Sequence, residues 1–300
     1  MNSVYFQSWS SKWASKASDL DLANIDERIH IVNIAFVNPG CAYTKGLYSF
    51  AGTGLDFSMD FIIVKQAIDL LKQKGVVVML SVGGGSYAFP PVNNCVAVCS
   101  LAVDLGVDGI DLDWEPSNGV LSSGRFGEII SEYKAVWGGK LSAAVWSTGA
   151  AKSLGSGYSG MNVEGLKTNG LMLDWINFMA YDAGSDYDVV EHFLEYRNVY
   201  AGKIYLGIEI GQQGWGGYVT VQQDIDKALA CVKKDGNAGI FIWSLQKDHG
   251  ASPSVDSILT SSMNTLNSGK SDVDVKEWKI NICCPACKYN IKLDYFYFIL

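Results

Sequence analysis

Residues 108–115 read Asp108-Gly109-Ile110-Asp111-Leu112-Asp113-Trp114-Glu115, and no other stretch of the chain says as much about its architecture. The pattern alternates acidic and apolar residues. On an extended strand, successive side chains point to opposite faces. Asp111, Asp113 and Glu115 therefore share one face, and Ile110, Leu112 and Trp114 share the other. The preceding residues 98–106 read as helix, so the apolar face is one that helices cover. The acidic face must then look into a space that is enclosed yet wet enough for carboxylates. A strand buried on both faces normally reads as a continuous apolar run. Three carboxylates inside such a strand cost free energy unless they find hydrogen bonds or share a proton. A cost of that kind is tolerated where side chains do chemistry.

Around this segment the chain alternates strands with helices. Strands are predicted over residues 4–9, 30–37, 76–82, 108–115, 141–147, 175–181, 204–210 and 239–245. Helices are predicted over 60–74, 98–106, 125–137, 188–200, 221–234 and 253–266. Gly75 is a good C-cap for the first of these helices. Such alternation implies a parallel sheet. Eight strands are the number that closes a (β/α)8 TIM barrel; the alternative is an open, doubly wound sheet. Polar or glycine-rich residues gather at the C-terminal ends of strands three, four, six and eight. A barrel builds its site from many strand ends, whereas an open sheet binds at one crevice. The barrel is therefore expected, as a single catalytic domain over residues 1–267.

Residues 268–300 differ in character and form a tail of unknown role. It carries Cys283-Cys284-Pro285-Ala286-Cys287 and an aromatic terminus. Cys284 and Cys287 have the spacing of half a zinc knuckle, and no second half follows. The plain reading is an apolar tail that packs on the barrel or is poorly ordered.

A net charge of −8 argues against a nucleic-acid or anionic-membrane surface and is compatible with a neutral or cationic substrate. No apolar run approaches the roughly 20 residues of a membrane span, and no signal peptide is read at the start. The compartment stays unassigned: the chain fits an intracellular protein, a mature form or one exported by another route. Seven Cys leave at least one unpaired within a monomer. Cys95 and Cys99, four apart on a helix, are not expected to bridge; Cys41 and Cys95, each after a neighbouring strand, are candidates for a disulfide. His30, His192 and His249 show neither metal nor triad spacing and read as structural or surface residues. No cofactor and no metal are expected, nor is any oligomer interface visible. Nine Trp and fifteen Tyr serve either as core or as platforms on which sugars stack.

Glu115 falls at the strand end where a barrel opens, with Asp113 two residues deeper and Asp111 deeper still. Two such carboxylates cannot both be ionised and unpaired, so one pKa should rise, which suits a general acid. Asp111 could share a proton with Asp113. A calcium loop of the EF-hand type would need an internal glycine and a distal Glu at other spacings. A solvated acidic face is the other bland alternative, and the apolar partner residues argue against it.

The segment resembles the DGxDxDxE signature of family 18 glycoside hydrolases, the chitinases and their relatives, and matches it at every signature position. Ser81-Val82-Gly83-Gly84 is similar to that family's SxGG motif on the third strand. Met179-Ala180-Tyr181-Asp182 is similar to its sixth-strand signature. Trp243, in Phe241-Ile242-Trp243-Ser244, resembles the eighth-strand tryptophan under the bound sugar. The resemblance covers roughly residues 4–266. It implies a retaining, substrate-assisted mechanism, an exception to the usual pair of catalytic carboxylates. Glu115 would be the general acid and base. Asp113 would hold the acetamide N–H, and Asp111 would hold Asp113. Tyr181 would donate to the acetamido carbonyl, Asp182 would orient the sugar and Trp243 would be its floor. Ser81 and Gly83 to Gly85 read as structural, letting backbone approach the acidic strand. Tyr5, Gln7, Met179, Trp146, Gln212 and Trp215 are candidates for the cleft wall.

Many members of that family carry an α+β insertion between the seventh strand and its helix. Here about ten residues separate Ile210 from Val221, so the insertion is missing and an open cleft with endo-type cutting is expected. The expected partners are chitin or N-acetylglucosamine oligosaccharides, bound by a monomer. The motif does not separate an endo-chitinase from an endo-β-N-acetylglucosaminidase acting on N-glycans. A non-enzymatic chitin-binding lectin is the third reading, and retention of Glu115 speaks against it.

Overall fold

Short apolar and β-branched runs, each ended by a polar or glycine-bearing loop, make eight strands: β1 (Asn2–Gln7), β2 (Ile31–Val37), β3 (Val77–Gly83), β4 (Gly109–Asp113), β5 (Lys140–Val145), β6 (Trp175–Phe178), β7 (Lys203–Glu209) and β8 (Ala238–Trp243). Each pairs in parallel with the next, and β8 pairs with β1, so the sheet is a closed barrel. The computed structural model describes residues 1–117, 123–152, 157–248 and 250–267. His249 and the tail with Cys283, Cys284 and Cys287 lie outside the described residues, and the reading of residues 268–300 with them.

Among the described residues, seven helices pack outside the barrel: α1 (Phe61–Gln73), α2 (Cys95–Leu105), α3 (Ser123–Val136), α4 (Val163–Asn169), α5 (Val189–Arg197), α6 (Gln222–Lys234) and α7 (Val255–Asn267). Between β1 and β2 the chain makes only short 3₁₀ turns. The fold is thus the (β/α)8 TIM barrel expected from the sequence, and residues 210–221 form a simple β7–α6 loop with no inserted domain. The predicted elements agree with the observed ones to within three residues at each end. One helix, α4, is not anticipated. It is short and contains Gly165, whose missing side chain lets α3 approach: a Cβ there would sit 2.9 Å from the Gly127 amide. Among the described residues, no helix is long and apolar enough to cross a membrane.

The strand alternation sorts the barrel into two apolar regions. Ile110 and Leu112 of β4 point outward and are fully buried under the helices, with Trp114 stacked on Phe126 of α3 at 5.7 Å. Burying each such side chain stabilises the fold by about 2 kcal/mol. Inside the barrel, Tyr5, Ile31, Met79, Trp175, Tyr205, Phe241 and Trp243 pack together. Asp111 and Asp113 belong to this inner side. Cys41, Cys95, Cys99 and Cys231 are all free, buried thiols, so the candidate Cys41–Cys95 bridge is not formed.

Candidate active site

The acidic strand is set by its neighbours. On β3, Gly83 has φ +107°, and a Cβ there would lie 2.1 Å from the carbonyl oxygen of Asp113. Only glycine allows this approach, which the sequence led us to expect of the Gly83–Gly85 run. The Gly84 amide then donates to the same carbonyl at 2.8 Å. Strand pairing ends here, with Gly83 opposite Asp113. Glu115 consequently lies beyond the strand rather than on it, half-buried at the barrel mouth. Its Oε1 is 3.7 Å from the position a Gly85 Cβ would take.

Asp111 is the hub of the inner layer. Its Oδ2 accepts from the Tyr5 hydroxyl (2.8 Å) and the Ser81 hydroxyl (2.8 Å). Its Oδ1 accepts from the Ser142 hydroxyl (2.6 Å) and Asn177 Nδ2 (3.0 Å). Donors from β1, β3, β5 and β6 therefore fill all four acceptor positions of one fully buried carboxylate. Burial pushes its pKa up, and the four hydrogen bonds pull against that shift. The proton sharing with Asp113 that spacing allowed is not needed to satisfy Asp111, and Asp113 makes no hydrogen bond to it. Ser81 thus does more than make room for the strand.

Asp113 is 4 % exposed, and its Oδ1 has no protein hydrogen-bond partner. Burial first, then the nearby Glu115 and Asp111, raise its pKa well above the usual carboxylate range. Burial likewise lifts Glu115 to about 7, opposed by the Gly85 amide. The two carboxyls titrate as a pair. At neutral pH the pair carries at least one proton, the arrangement that supplies a general acid.

Facing them, Tyr181 leaves the end of β6 and lies edge-on to Phe241, with ring centroids 6.0 Å apart. Its seat is cut into β7: a Cβ on Gly207 would meet Tyr181 Cε1 at 2.6 Å. Met179 packs beside it against the inner cluster. Trp243 ends β8, stacked on Phe36 at 5.5 Å, with Tyr5 edge-on at 5.7 Å. The Trp243 indole N–H is buried and has no protein partner. Trp146, just past β5, is also unpartnered at Nε1 and stacks on Tyr158 at 4.4 Å.

Other candidates are placed differently. Gln7 is buried on the inner face of β1, where its Oε1 accepts from Ser10 Oγ at 2.9 Å. Gln212 is exposed, and the neighbouring Gln213 is the buried one, tied through Nε2 to the Ile210 carbonyl. Asp182 has φ +53°. Both its oxygens are engaged by the β7–α6 loop, Oδ2 by Trp215 Nε1 (2.9 Å) and Oδ1 by the Tyr218 amide (3.1 Å). Trp215 is 62 % exposed on that loop. His30 accepts from the Asn2 amide, and His192 stacks on Tyr187 beside Glu195, both structural roles. Among the described residues no group of three His, Cys, Asp or Glu converges as a metal site.

One residue the sequence reading passed over is Glu209, at the end of β7. It is 2 % exposed, its Oε1 has no protein partner, and burial followed by Asp182 raises its carboxyl to about 8. The signal was present: a lone acid in the apolar run 204–210, at the same strand-end position as the other site residues.

Asp111, Asp113, Glu115 and Glu209 all have raised folded-state pKa values. Unfolded carboxyls titrate near 4. The folded state keeps protons that the unfolded state has released, so this contribution to stability is full below about pH 4 and is lost as pH rises toward about 8. The thermal midpoint is expected to fall between pH 5 and pH 8. A midpoint that climbs over that range in a calorimetric pH series would contradict these shifts.

Comparison with curated protein sequences returns no match. Solved structures of similar shape include a GH18 chitinase from Pseudoalteromonas aurantia, with 18% identity, a TM-score of 0.63 and coverage of 88% of this chain and 99% of that one. The class V chitinase from Nicotiana tobaccum gives 18% identity and a TM-score of 0.62, covering 89% and 98%. A chitinase-like agglutinin from Robinia pseudoacacia gives 17% and 0.58, covering 88% and 98%. At such identities these share the fold. The model of the glycosyl hydrolases family 18 matches residues 2–217, which takes in the acidic strand, Tyr181 and Asp182. The chain belongs to the glycosyl hydrolases family 18.

Proposed function

We propose that the chain is an endo-acting chitinase that cleaves β-1,4 bonds between N-acetylglucosamine units with retention of configuration. The observation that carries this reading is the graded acid ladder of β4. Asp111 is saturated with donors, Asp113 has an unpartnered buried oxygen, and Glu115 stands at the mouth with its carboxyl lifted to about 7. Glu115 gives its proton to the glycosidic oxygen as the bond to C1 breaks. The carbonyl oxygen of the sugar's own 2-acetamido group attacks C1 and forms an oxazolinium ion. Proximity of this internal nucleophile takes the place of a protein nucleophile. Asp113 accepts from the acetamide N–H, and the Tyr181 hydroxyl, which hydrogen-bonds none of the described residues, donates to the acetamido oxygen. Trp243 supports the ring. Water then opens the oxazolinium at C1, and Glu115 takes the water's proton, returning to its starting state.

The short β7–α6 loop supports the endo mode, because no inserted domain stands there to wall the cleft. Asp182 acts on this loop rather than beside the acid, fixing Trp215 where its exposed indole is available for stacking.

Binding without hydrolysis is the second reading, favoured by that same engagement of both Asp182 oxygens. The raised carboxyl of Glu115 favours hydrolysis. The test is product analysis with an N-acetylglucosamine hexamer and, separately, a high-mannose glycoprotein, the product anomer being followed by NMR at early times. Internal cleavage of the hexamer with the β-anomer first is expected. Cleavage of the glycoprotein alone would move the assignment to N-glycan release, an α-anomer would exclude the oxazolinium route, and binding without cleavage would leave a lectin.

A further inference from the structure

The acid ladder of β4 does not exhaust the buried acids at the barrel mouth. On β7 the positions of Tyr205, Gly207 and Glu209 share the inner face, while Ile204, Leu206 and Ile208 face the helices. Glu209 pairs in register with Trp243 on β8. Tyr181 lies over Gly207, two residues away on the same face, and the Glu209 carboxyl is the foremost charge acting on its hydroxyl. Glu209 therefore sits between the proposed sugar floor and the proposed carbonyl donor.

Among the described residues, nothing accounts for it. Its Oε1 is buried without a hydrogen bond. A buried carboxyl without partners destabilises a fold, and an apolar residue of similar size would pack there at less cost. Among the described residues, the charged and titratable groups around it are Asp182 from the β6–α5 loop, Lys247 beyond β8 and Tyr181. None of them hydrogen-bonds it.

We propose that Glu209 is a substrate-contacting residue that, as a neutral carboxylic acid, hydrogen-bonds a hydroxyl of the sugar resting on Trp243. This rests on the chitinase reading above and adds a specificity-determining group to it. A neutral acid both donates and accepts, as a sugar hydroxyl does, so the two are matched partners. Its environment keeps it in that form at neutral pH: burial and Asp182 hold the proton on, against the opposing charge of Lys247. Ionisation removes the donor and leaves a buried charge, so binding weakens as pH rises past about 8.

The test uses binding of the N-acetylglucosamine hexamer to the full chain carrying Glu115→Gln, which blocks turnover. Glu115 is not among the groups acting on Glu209, so this background leaves the site's titration in place. Adding Glu209→Leu is expected to weaken the Kd about tenfold, the loss of roughly one hydrogen bond, with a thermal midpoint that is unchanged or higher. Adding Glu209→Gln, whose amide also donates and accepts, is expected to keep the Kd at pH 6 and to abolish the weakening seen in the parent between pH 7 and pH 9. An unchanged Kd in the Leu variant would overturn the proposal. So would a parent Kd that is flat from pH 7 to pH 9, an arm that holds even if the Leu variant fails to fold. If the parent does not bind the hexamer and the unsubstituted chain does not cleave it, the chitinase reading itself fails, a result distinct from failure of the Glu209 assignment alone.

Discussion

Glu115→Gln is expected to lower turnover of the N-acetylglucosamine hexamer by about a thousandfold, within the range that a positioned acid contributes, while leaving oligosaccharide binding in place. Gln has the shape of Glu and keeps a donor and an acceptor, but it has no proton to give to a leaving glycosidic oxygen. Glu115 lies beyond the last pairing of β4, half-buried, and among the described residues no side chain hydrogen-bonds it. The substitution should therefore spare the fold. It should also act on Asp113, because after burial the Glu115 charge does most to raise the Asp113 pKa. With Glu115 neutral at all pH values, Asp113 ionises more readily. The measurement is kcat and KM across pH 5 to 9, with hexamer affinity by calorimetry. In the unsubstituted chain, kcat/KM should decline above about pH 7 as Glu115 of the free enzyme loses its proton. Near-normal kcat in the variant would remove Glu115 from the reaction.

Much of this site could be read from residues 108–115 because period-two alternation is local, and the apolar half of the pattern states which face the helices cover. The same rule applied to residues 204–210 would have found Glu209. It was hidden because one acid in an apolar run carries less pattern than three. The partners of Asp111 were not legible in the same way. Tyr5, Ser81, Ser142 and Asn177 lie on four strands, and they converge only because the barrel's register sets them at one level. Single polar residues inside apolar strands do not announce which carboxylate they serve. Asp182 is a third case. Its neighbours Met179 and Tyr181 read as a site motif, yet the β7–α6 loop claims both its oxygens, a contact between segments about thirty residues apart. Gln212 was expected at the cleft wall, yet it is exposed and its neighbour Gln213 faces inward, which a loop without regular period does not disclose.

The layer around Asp111 leads to the largest expected loss of stability. Asp111→Ala removes the acceptor of four buried donors at once. The Tyr5 and Asn177 side chains keep one bond between them, Asn177 Nδ2 to Tyr5 Oη at 3.1 Å, but the Ser81 and Ser142 hydroxyls are fully buried and lose theirs. Removing the centre of a buried polar network commonly costs about 3–5 kcal/mol, because each stranded donor keeps its desolvation penalty. For a domain of this size that corresponds to a thermal midpoint lower by roughly 10 °C. Asp111→Asn tests the cause. An amide keeps the volume and one acceptor oxygen but turns two donors toward hydroxyls that must rotate to accept them. With the amide nitrogen at the Oδ2 position those hydroxyls are Tyr5 and Ser81, while the amide oxygen still accepts from Ser142 and Asn177 at the Oδ1 position; the Tyr5 and Ser81 protons lose their acceptor, so an intermediate loss is expected. Two outcomes would show that the hub is not what joins β1, β3, β5 and β6: an alanine variant as stable as the parent, or an asparagine variant worse than alanine. Activity gives an independent check. Asp113 sits one inward position along the strand, so loosening of the layer should reach the reaction even in the fraction that folds, and kcat should fall together with the thermal midpoint across the series from Asp to Asn to Ala.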